Sequence, residues 1–407
     1  MGSLLMSVLA GLKVLDMTRV VAGPTATQCL GDFGADVIKV ERPGEGDDVR
    51  HVGPPWLIDS EGNETRESTY FQAANRNKRS ISVNFQSEEG AQLLRTLAAK
   101  VDIFVENFRP NTLAKYGLDY ESLRKNNPGL IYCSVSGFGQ SGPYASRSGY
   151  DFLMQAMSGL MSVTGGPEGA PMRVGVPIAD ILAGKDAVIG ILLALHQREK
   201  TGEGQSIDIS LFDSQVAAMA NTFTAWFNGG FEMPRTGNDH PSASPYGVYR
   251  TSDGYLLIAT FNNREFGRLA AAVGRSDWLD NPSFNTMGAR VAHRHELAAE
   301  LTGILVKQPR EHWIALLNAA GVSCGPINRM SDLENDPHFR ERGMTVTLPH
   351  ALSGEIVVAN SPIRCSVSMP EYRLGPPVIG QHTVEVLQEM LGLDQPTMTD
   401  LATRGVI

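Results

Sequence analysis

The chain has 407 residues, of which 42% are hydrophobic and 19% are charged, and its formal net charge is -9. This length exceeds what one hydrophobic core usually spans, so we expect a large domain and a smaller one. The acidic balance argues against non-specific binding to nucleic acid, which rewards clustered Lys and Arg. An anionic ligand must therefore be held by a local group of cations.

The four cysteines are far apart in the sequence and form no C-x-x-C pair: Cys29, Cys133, Cys324 and Cys365. They predict neither a zinc site nor a disulfide framework, and we expect no metal. Free thiols fit a reducing compartment, and we expect a cytoplasmic location. No segment approaches about 18 uncharged apolar residues, so no membrane span is expected.

The first half of the chain alternates short apolar runs with amphipathic stretches, which is typical of crossovers between parallel strands. The sequence therefore predicts an α/β fold with a parallel sheet. Ligands of such sheets bind beyond the carboxyl ends of the strands, so the loops there are candidate site walls. The predicted strands are 13–17, 36–41, 103–106 and 130–136, and the predicted helices are 24–33, 88–100 and 120–126.

The pattern changes after residue 229, where a smaller α+β domain is predicted. The large domain is predicted to comprise residues 1–228 and 326–407, and the small domain residues 229–325. Before the change we predict a helix at 181–198, a strand at 206–210 and a helix to about 227. After it, we predict strands at 255–259 and 354–359, helices at 266–273, 289–305 and 310–319, and a final helix at 381–391.

Asp180 stands at the predicted start of the long apolar helix, after an extended run that contains Pro177. An aspartate at that point is a favoured N-cap, worth about 1 kcal/mol, and this is the structural interpretation. Backbone amides and the helix dipole would also steady a carboxylate nucleophile and its anionic adducts at the same point. The two interpretations are compatible.

Motifs of other enzyme classes are absent from the sequence. There is no Walker loop, nucleophile elbow or metal motif, and the single Gly137-Phe138-Gly139 is weak evidence for a dinucleotide. The histidines are scattered, and none pairs locally with Ser and Asp as a triad would require.

Several short motifs do occur, and their order along the chain is informative. They include Val14-Leu15-Asp16, Ala22-Gly23-Pro24, Gly34-Ala35-Asp36, Val105-Glu106-Asn107, Gly149-Tyr150-Asp151 and Cys324-Gly325-Pro326. In this order, and over nearly the full length, the chain resembles the family III (CaiB/BaiF type) CoA-transferases. The resemblance implies a Rossmann-like large domain, a small domain, and a homodimer in which two chains interlock as rings.

The resemblance also implies a mechanism. Asp180 would attack the thioester of an acyl-CoA donor, giving an aspartyl-acyl anhydride and then an aspartyl-CoA thioester. An ionised carboxylate, with an unperturbed pKa of about 3.9, needs no separate base. Coenzyme A and acyl-CoA are then substrates, and no tightly bound cofactor is implied.

Binding residues follow from the same resemblance. Taken singly, each cation is equally well a solvated surface residue, and a tyrosine is equally well a packed core residue. The residues that match CoA contacts are Arg42, Asn107, Phe108, Arg109 and Lys115. Those that match the substrate pocket and its loop are Arg19, Val21, Tyr150, Asp151, Gly237 and Asn238.

Two positions narrow the substrate. Val21 stands where formyl-CoA transferases carry glutamine, which argues against oxalate chemistry. The chain looks most like enzymes that move CoA from succinyl-CoA onto dicarboxylic acids. The cations for the distal carboxylate would be Arg19, the better candidate, or Arg173, which could also lie on an exposed loop.

Two alternative functions stay open. An α-methylacyl-CoA racemase shares the fold, but it carries a histidine where this chain has Tyr150. In a non-catalytic acyl-CoA-binding protein, Asp180 would only cap a helix.

Overall fold

The computed structural model describes residues 7–407. Its strands are β1 (Lys13–Asp16), β2 (Asp36–Glu41), β3 (Trp56–Ile58), β4 (Glu64–Ser68), β5 (Lys78–Ser82), β6 (Ile103–Glu106), β7 (Ile131–Ser136), β8 (Ser206–Ser210), β9 (Tyr246–Arg250), β10 (Tyr255–Ala259), β11 (Ser323–Pro326), β12 (Thr345–His350) and β13 (Gly354–Ala359).

The helices alternate with these strands along the chain. They are α1 (Ala22–Asp32), α2 (Thr69–Gln72), α3 (Glu88–Ala98), α4 (Tyr120–Leu123), α5 (Asp151–Met157), α6 (Leu160–Val163), α7 (Ile178–Thr201), α8 (Leu211–Ala218), α9 (Ala220–Gly229), α10 (Asn263–Ala272), α11 (Met287–Ala292), α12 (Arg294–Leu305), α13 (Arg310–Ala319), α14 (Met330–Leu333), α15 (Pro337–Glu341), α16 (Thr383–Leu391) and α17 (Gln395–Thr403). Short 3-10 helices span Asp48–His51, Leu113–Tyr116 and Ser276–Leu279.

The chain forms two compact units. Of the described residues, the larger unit comprises 7–158, 175–220 and 343–407, and the smaller unit comprises 159–174 and 221–342. The smaller unit takes its first piece from the segment that precedes α7, which the composition change near residue 229 did not indicate.

A six-stranded parallel sheet, in the order β5-β2-β1-β6-β7-β8, organises the larger unit. The predicted α/β fold with a parallel sheet is therefore confirmed. The direction of strand order reverses between β1 and β6, which is where open α/β sheets bind ligands. The segments that leave these two strands are the loop 17–21 and the loop that begins at residue 107.

Alternate residues of the strands face two different helix layers, as the period of two requires. Val14 of β1 packs in a cluster with α1 and α7, whereas its neighbour Leu15 packs in a cluster with α3 and α16. The central strands β6 and β7 are buried along their whole length, as expected of parallel strands covered on both faces.

Helices α1 and α7 pack closely beside the end of β1. A Cβ atom on Gly184 of α7 would lie 2.7 Å from the carbonyl oxygen of Ala22. Only glycine permits this approach, and it sets the distance between the two helices.

The smaller unit is built on a different plan. Its antiparallel sheet has the order β11-β10-β9. Trp278, Phe266 and Leu301 are buried in the core that this sheet forms with its helices.

Three helix predictions need correction. The helix predicted at 289–305 is two helices, α11 and α12, which meet at His293, and the helix after β8 is interrupted at Met219. The helix predicted as final is followed by α17. Its signals were Asp394, whose carboxylate accepts the Thr397 amide as an N-cap, and a proline in the first turn.

Candidate active site

Asp180 is the third residue of α7, not its N-cap. Pro177 is the N-cap and offers no side-chain hydrogen bond, so the structural interpretation of Asp180 as a cap is wrong. Asp151, from the start of α5, takes over this work: its Oδ1 accepts a hydrogen bond of 2.8 Å from the amide of Ala179. The carboxylate of Asp180 is thereby left available for chemistry.

Asp180 lines a cavity of about 220 Å³ in the larger unit. The loops after β1, β6 and β7 form its walls, so most of the residues singled out from the sequence come together here. Those residues are Arg19, Val21, Asn107, Phe108, Arg109, Tyr150 and Asp180. Tyr150 is 70% exposed, so the alternative that it is a packed core residue is wrong.

The carboxyl of Asp180 has an unusual proton affinity. Burial, and then the nearby carboxylate of Asp151, raise its pKa from 3.8 to about 7. Both effects disfavour the charged form. Asp180 is therefore poised near neutrality, where a carboxyl group can be either protonated or a nucleophile.

Asp151 is held in place by hydrogen bonds to both of its carboxylate oxygens. Besides capping α7, its Oδ2 accepts a hydrogen bond of 2.6 Å from the Gln155 side chain. The two acceptor oxygens hold the carboxylate in one orientation between α5 and α7.

Arg19 is held by two neighbours at the cavity wall. Its guanidinium lies 2.9 Å from the carboxylate of Asp48 and 4.9 Å from the ring centre of Phe108.

The amide of Phe108 donates a hydrogen bond of 2.7 Å to the carboxylate of Glu106 at the end of β6. Burial raises the pKa of Glu106 to about 7.

Arg109 also belongs to this wall. It donates a hydrogen bond to the hydroxyl of Ser148, across the same cavity. Arg147 is a third arginine among the lining residues, and its guanidinium lies 4.6 Å from the ring centre of Tyr144. The cavity around Asp180 is thus lined by cations on several sides.

A second cavity, of about 230 Å³, adjoins the first because Arg19 and Phe108 line both. Its aromatic side chains are arranged edge to face: the ring centre of Phe85 lies 5.4 Å from those of Phe108 and Tyr116.

Arg42 lines this second cavity and forms an ion pair with Glu45. Lys115 is exposed on the 3-10 helix Leu113–Tyr116, beside a lining residue. The structure thus brings most of the predicted CoA-binding residues to two adjoining cavities, and their role there stays a prediction.

Gly237 and Asn238 lie in the smaller unit. Gly237 has a φ of 65 and donates its amide to the carbonyl of Gly165 at 2.9 Å. Their assignment to the substrate loop stays a prediction.

Sequence reasoning missed three residues at the first cavity. Asp48 and Arg147 line it; Asp48 begins the 3-10 helix Asp48–His51, Arg147 lies in a loop, and neither stands in a distinctive sequence motif. Val20 has a φ of 70. No local signal in the sequence indicates a β-branched residue in that conformation.

Within residues 7–407, no three side chains of His, Cys, Asp or Glu converge as metal ligands would. None of the helices in this same stretch is both long and apolar enough to cross a membrane.

The chain matches the family model for CoA-transferase family III over residues 9–383. It belongs to CoA-transferase family III and is a CoA-transferase. Acyl-CoA substrates are characteristic of this class.

Relatives with assigned activities resemble the chain over almost its whole length. It is 40% identical over 402 residues to the succinyl-CoA:glutarate CoA-transferase of Mus musculus, covering 99% of this chain and 91% of that protein. It is 42% identical over 382 residues to the succinate--glutarate CoA-transferase of Agrobacterium fabrum, covering 94% and 95%.

A solved structure of the same fold supports the family assignment. The crystal structure of a CAIB/BAIF family protein from Brucella suis has a TM-score of 0.86 and 43% sequence identity, covering 94% of this chain and 99% of that one.

Proposed function

We propose that this protein transfers CoA from succinyl-CoA to a second dicarboxylic acid, with Asp180 as the covalent nucleophile. The observation that carries the proposal is the position of Asp180. It is freed from capping by Asp151 and lines a cavity walled by arginines. Its pKa of about 7 leaves a substantial ionised fraction at neutral pH.

In the first half of the reaction, a carboxylate oxygen of Asp180 attacks the thioester carbonyl carbon. The carbon–sulfur bond breaks, and CoA leaves as a thiolate while an aspartyl-succinyl anhydride forms. The thiolate then attacks the aspartyl carbonyl and releases succinate, which leaves CoA bound to Asp180 as a thioester. The free energy of the thioester bond is conserved, because each intermediate is itself an activated acyl group.

The second half runs in the opposite sense with the acceptor. Its carboxylate attacks the aspartyl thioester and releases the thiolate, which gives a new anhydride on Asp180. The thiolate then attacks the acceptor's acyl carbon, so the new acyl-CoA leaves and the carboxylate of Asp180 is regenerated. Arginine side chains facing the cavity stabilise the negative charge that develops at each step.

Coenzyme A fits the pair of adjoining cavities. The adenine ring has aromatic partners in Phe85, Phe108 and Tyr116, since such side chains offer edge-to-face contacts. Arg42 and Lys115 supply positive charge for the phosphate groups. The pantetheine arm then passes Arg19 and Phe108, which line both cavities, toward Asp180.

The dicarboxylate class is supported by the named relatives and by Arg19. The mouse and Agrobacterium proteins are named as CoA-transferases that act on succinate and glutarate or their CoA esters. A distal carboxylate needs a cation, because an unpaired charge in the cavity would be costly. Arg19 is that cation in our proposal, and Asp48 neutralises it until the substrate arrives.

We also propose that the protein works as the interlocked homodimer that the resemblance implies. Ile189, Leu192 and Leu193 on one side of α7 are 56%, 43% and 65% exposed in the single chain. Adjacent apolar side chains of this size usually mark an interface. Light scattering that finds a monomer at micromolar concentration would remove this part of the proposal.

The central experiment is to trap the covalent intermediate. The enzyme is incubated with succinyl-CoA and treated with borohydride or hydroxylamine, and the peptide that contains residue 180 is examined by mass spectrometry. We expect the modification on Asp180, together with CoA transfer to glutarate in a panel of carboxylic acids. If the enzyme transfers CoA but Asp180 is unmodified under all trapping conditions, the covalent mechanism through Asp180 is contradicted.

Asp180→Asn is the test variant, and Asp186→Asn in the same helix is its matched control. The first change removes the nucleophile while keeping the shape, so the rate of transfer should fall by more than about 100-fold. The control should keep the wild-type rate. A retained rate in Asp180→Asn would exclude the nucleophilic role.

A further inference from the structure

Val20 has a backbone φ of 70, which lies in the left-handed region that β-branched residues avoid. Such a conformation persists only where the surrounding structure holds it, and it is concentrated at functional sites. Val20 also lines the cavity that contains Asp180. The strained residue is therefore part of the cavity wall.

Buried side chains hold the backbone before the strained residue, at Thr18, and at Val20 itself. The amide of Thr18 donates to Asp16 at 2.9 Å, and its carbonyl accepts from Lys39 at 2.8 Å. The amide of Val20 donates to Asp47 at 3.0 Å. Asp16, Lys39 and Asp47 are at most 1% exposed, so these anchors cannot be replaced by water without rearrangement.

Asn107 holds the residue between these anchors. Its side-chain oxygen accepts the Arg19 amide at 2.9 Å, and its side-chain nitrogen donates to the Arg19 carbonyl at 2.7 Å. Only a side chain with both a donor and an acceptor can do this. Both ends of the Asn107 amide are thus used on the backbone of one residue.

The held segment is in direct contact with the helix of Asp180. Val21 is the N-cap of α1, and the carbonyl of Ala22 packs against Gly184. Gly184 lies one turn after Asp180 on the same face of α7. Because close-packed elements transmit strain, a change in the backbone of Val20 would displace α7 at the nucleophile.

We propose that Asn107 is a positioning residue for the transfer reaction. By clamping the backbone of Arg19, it keeps Val20 in the left-handed conformation and so fixes the cavity wall and α7 relative to each other. This inference rests on the proposed function of Asp180. It gives Asn107 a task distinct from the contact with CoA that the sequence indicated.

The test is a double-mutant cycle between residues 107 and 20. Asn107→Ala should lower kcat by about 10- to 100-fold, because the strained conformation is lost in most molecules. Glycine adopts a positive φ without strain, so Val20→Gly makes the clamp unnecessary. The double variant should therefore regain kcat to within about 3-fold of Val20→Gly alone.

Binding and stability are measured on the same four proteins. The Kd for free CoA should change by less than about 3-fold in Asn107→Ala, since a positioning residue acts on the reaction rather than on affinity. A raised Kd with an unchanged kcat overturns the proposal in favour of direct contact with CoA. A lowered melting temperature without rescue by Val20→Gly overturns it in favour of a merely structural role.

The failure of this inference differs from the failure of the proposed function. If wild type forms the Asp180 adduct but the double variant shows no rescue, only the clamp is refuted. If wild type transfers CoA without an Asp180 adduct, the nucleophile is refuted, and the rescue of the transfer rate still decides the clamp.

Discussion

Asp151 Oδ1 lies 2.8 Å from the backbone nitrogen of Ala179, so a side chain from α5 caps the first turn of α7. The same carboxylate helps to raise the pKa of Asp180. One residue therefore caps the helix that carries Asp180 and also raises the pKa of Asp180.

The first prediction concerns the pH dependence of transfer. Only ionised Asp180 can attack, so kcat/KM should rise with pH and level off above the pKa of about 7. Asp151→Asn removes the repelling charge but keeps an oxygen that accepts the Ala179 amide. We expect its profile to shift to lower pH, measured with succinyl-CoA and glutarate. A profile that stays in place would show that Asp151 does not set the charge of Asp180.

The second prediction concerns stability. Asp180 has a folded pKa of about 7 against 3.8 for the free side chain, so the folded state binds the proton more tightly. The contribution of this group to stability is therefore lost as pH rises from about 4 to about 7. Asp180→Asn should melt above wild type at pH 8, with a smaller difference at pH 5. Equal melting temperatures at pH 8 would contradict the raised pKa.

The third prediction concerns the acceptor. Arg19→Met should raise the KM for glutarate or succinate by roughly 10- to 100-fold, as loss of a charge-assisted contact does, with little change for CoA. Asp48→Asn frees Arg19 from its ion pair and should lower the same KM. If Arg19→Met uses dicarboxylates as well as wild type does, or if wild type prefers acetate, the dicarboxylate assignment fails.

The fourth prediction concerns the buried ion pair of Lys78 and Asp16. Lys78 lies 3.0 Å from Asp16, and both side chains are 0% exposed. Lys78→Met leaves Asp16 with less compensation and should lower the free energy of unfolding by about 3–5 kcal/mol. Arg404→Met breaks exposed pairs with Glu89 and Asp400, so it serves as the control and should lower the free energy of unfolding far less than Lys78→Met does. Urea denaturation of the two variants compares them directly.

The sequence was sufficient for five of the six strands of the parallel sheet, but it did not indicate β5, whose sequence Lys-Arg-Ser-Ile-Ser is mostly polar. It also indicated Asp180 and the loops after β1 and β6 as candidate parts of the site. It could not show that Lys39 and Lys78 are buried. Lys39 stands among apolar residues in a pattern that a half-exposed strand also gives, and Lys78 stands in the polar run Asn77-Lys78-Arg79-Ser80. Their burial depends on Asp47 and Asp16, which other segments supply.

The clamp on Val20 and the cap on α7 were also beyond the sequence. Asn107 bonds Arg19, and Asp151 bonds Ala179, across long separations in the chain. Local patterns report the contacts of a residue with its near neighbours, whereas these bonds depend on the completed fold.

The contact of Ala22 with Gly184 also bears on the order in which the two cavities can form during synthesis. Synthesis proceeds from the amino terminus, and contacts between distant segments form only after both have been synthesised. The aromatic cavity draws on residues 17–116 alone, whereas the wall beside Asp180 needs α7. A nascent chain therefore acquires the elements that would recognise the nucleotide before it acquires the reactive carboxylate.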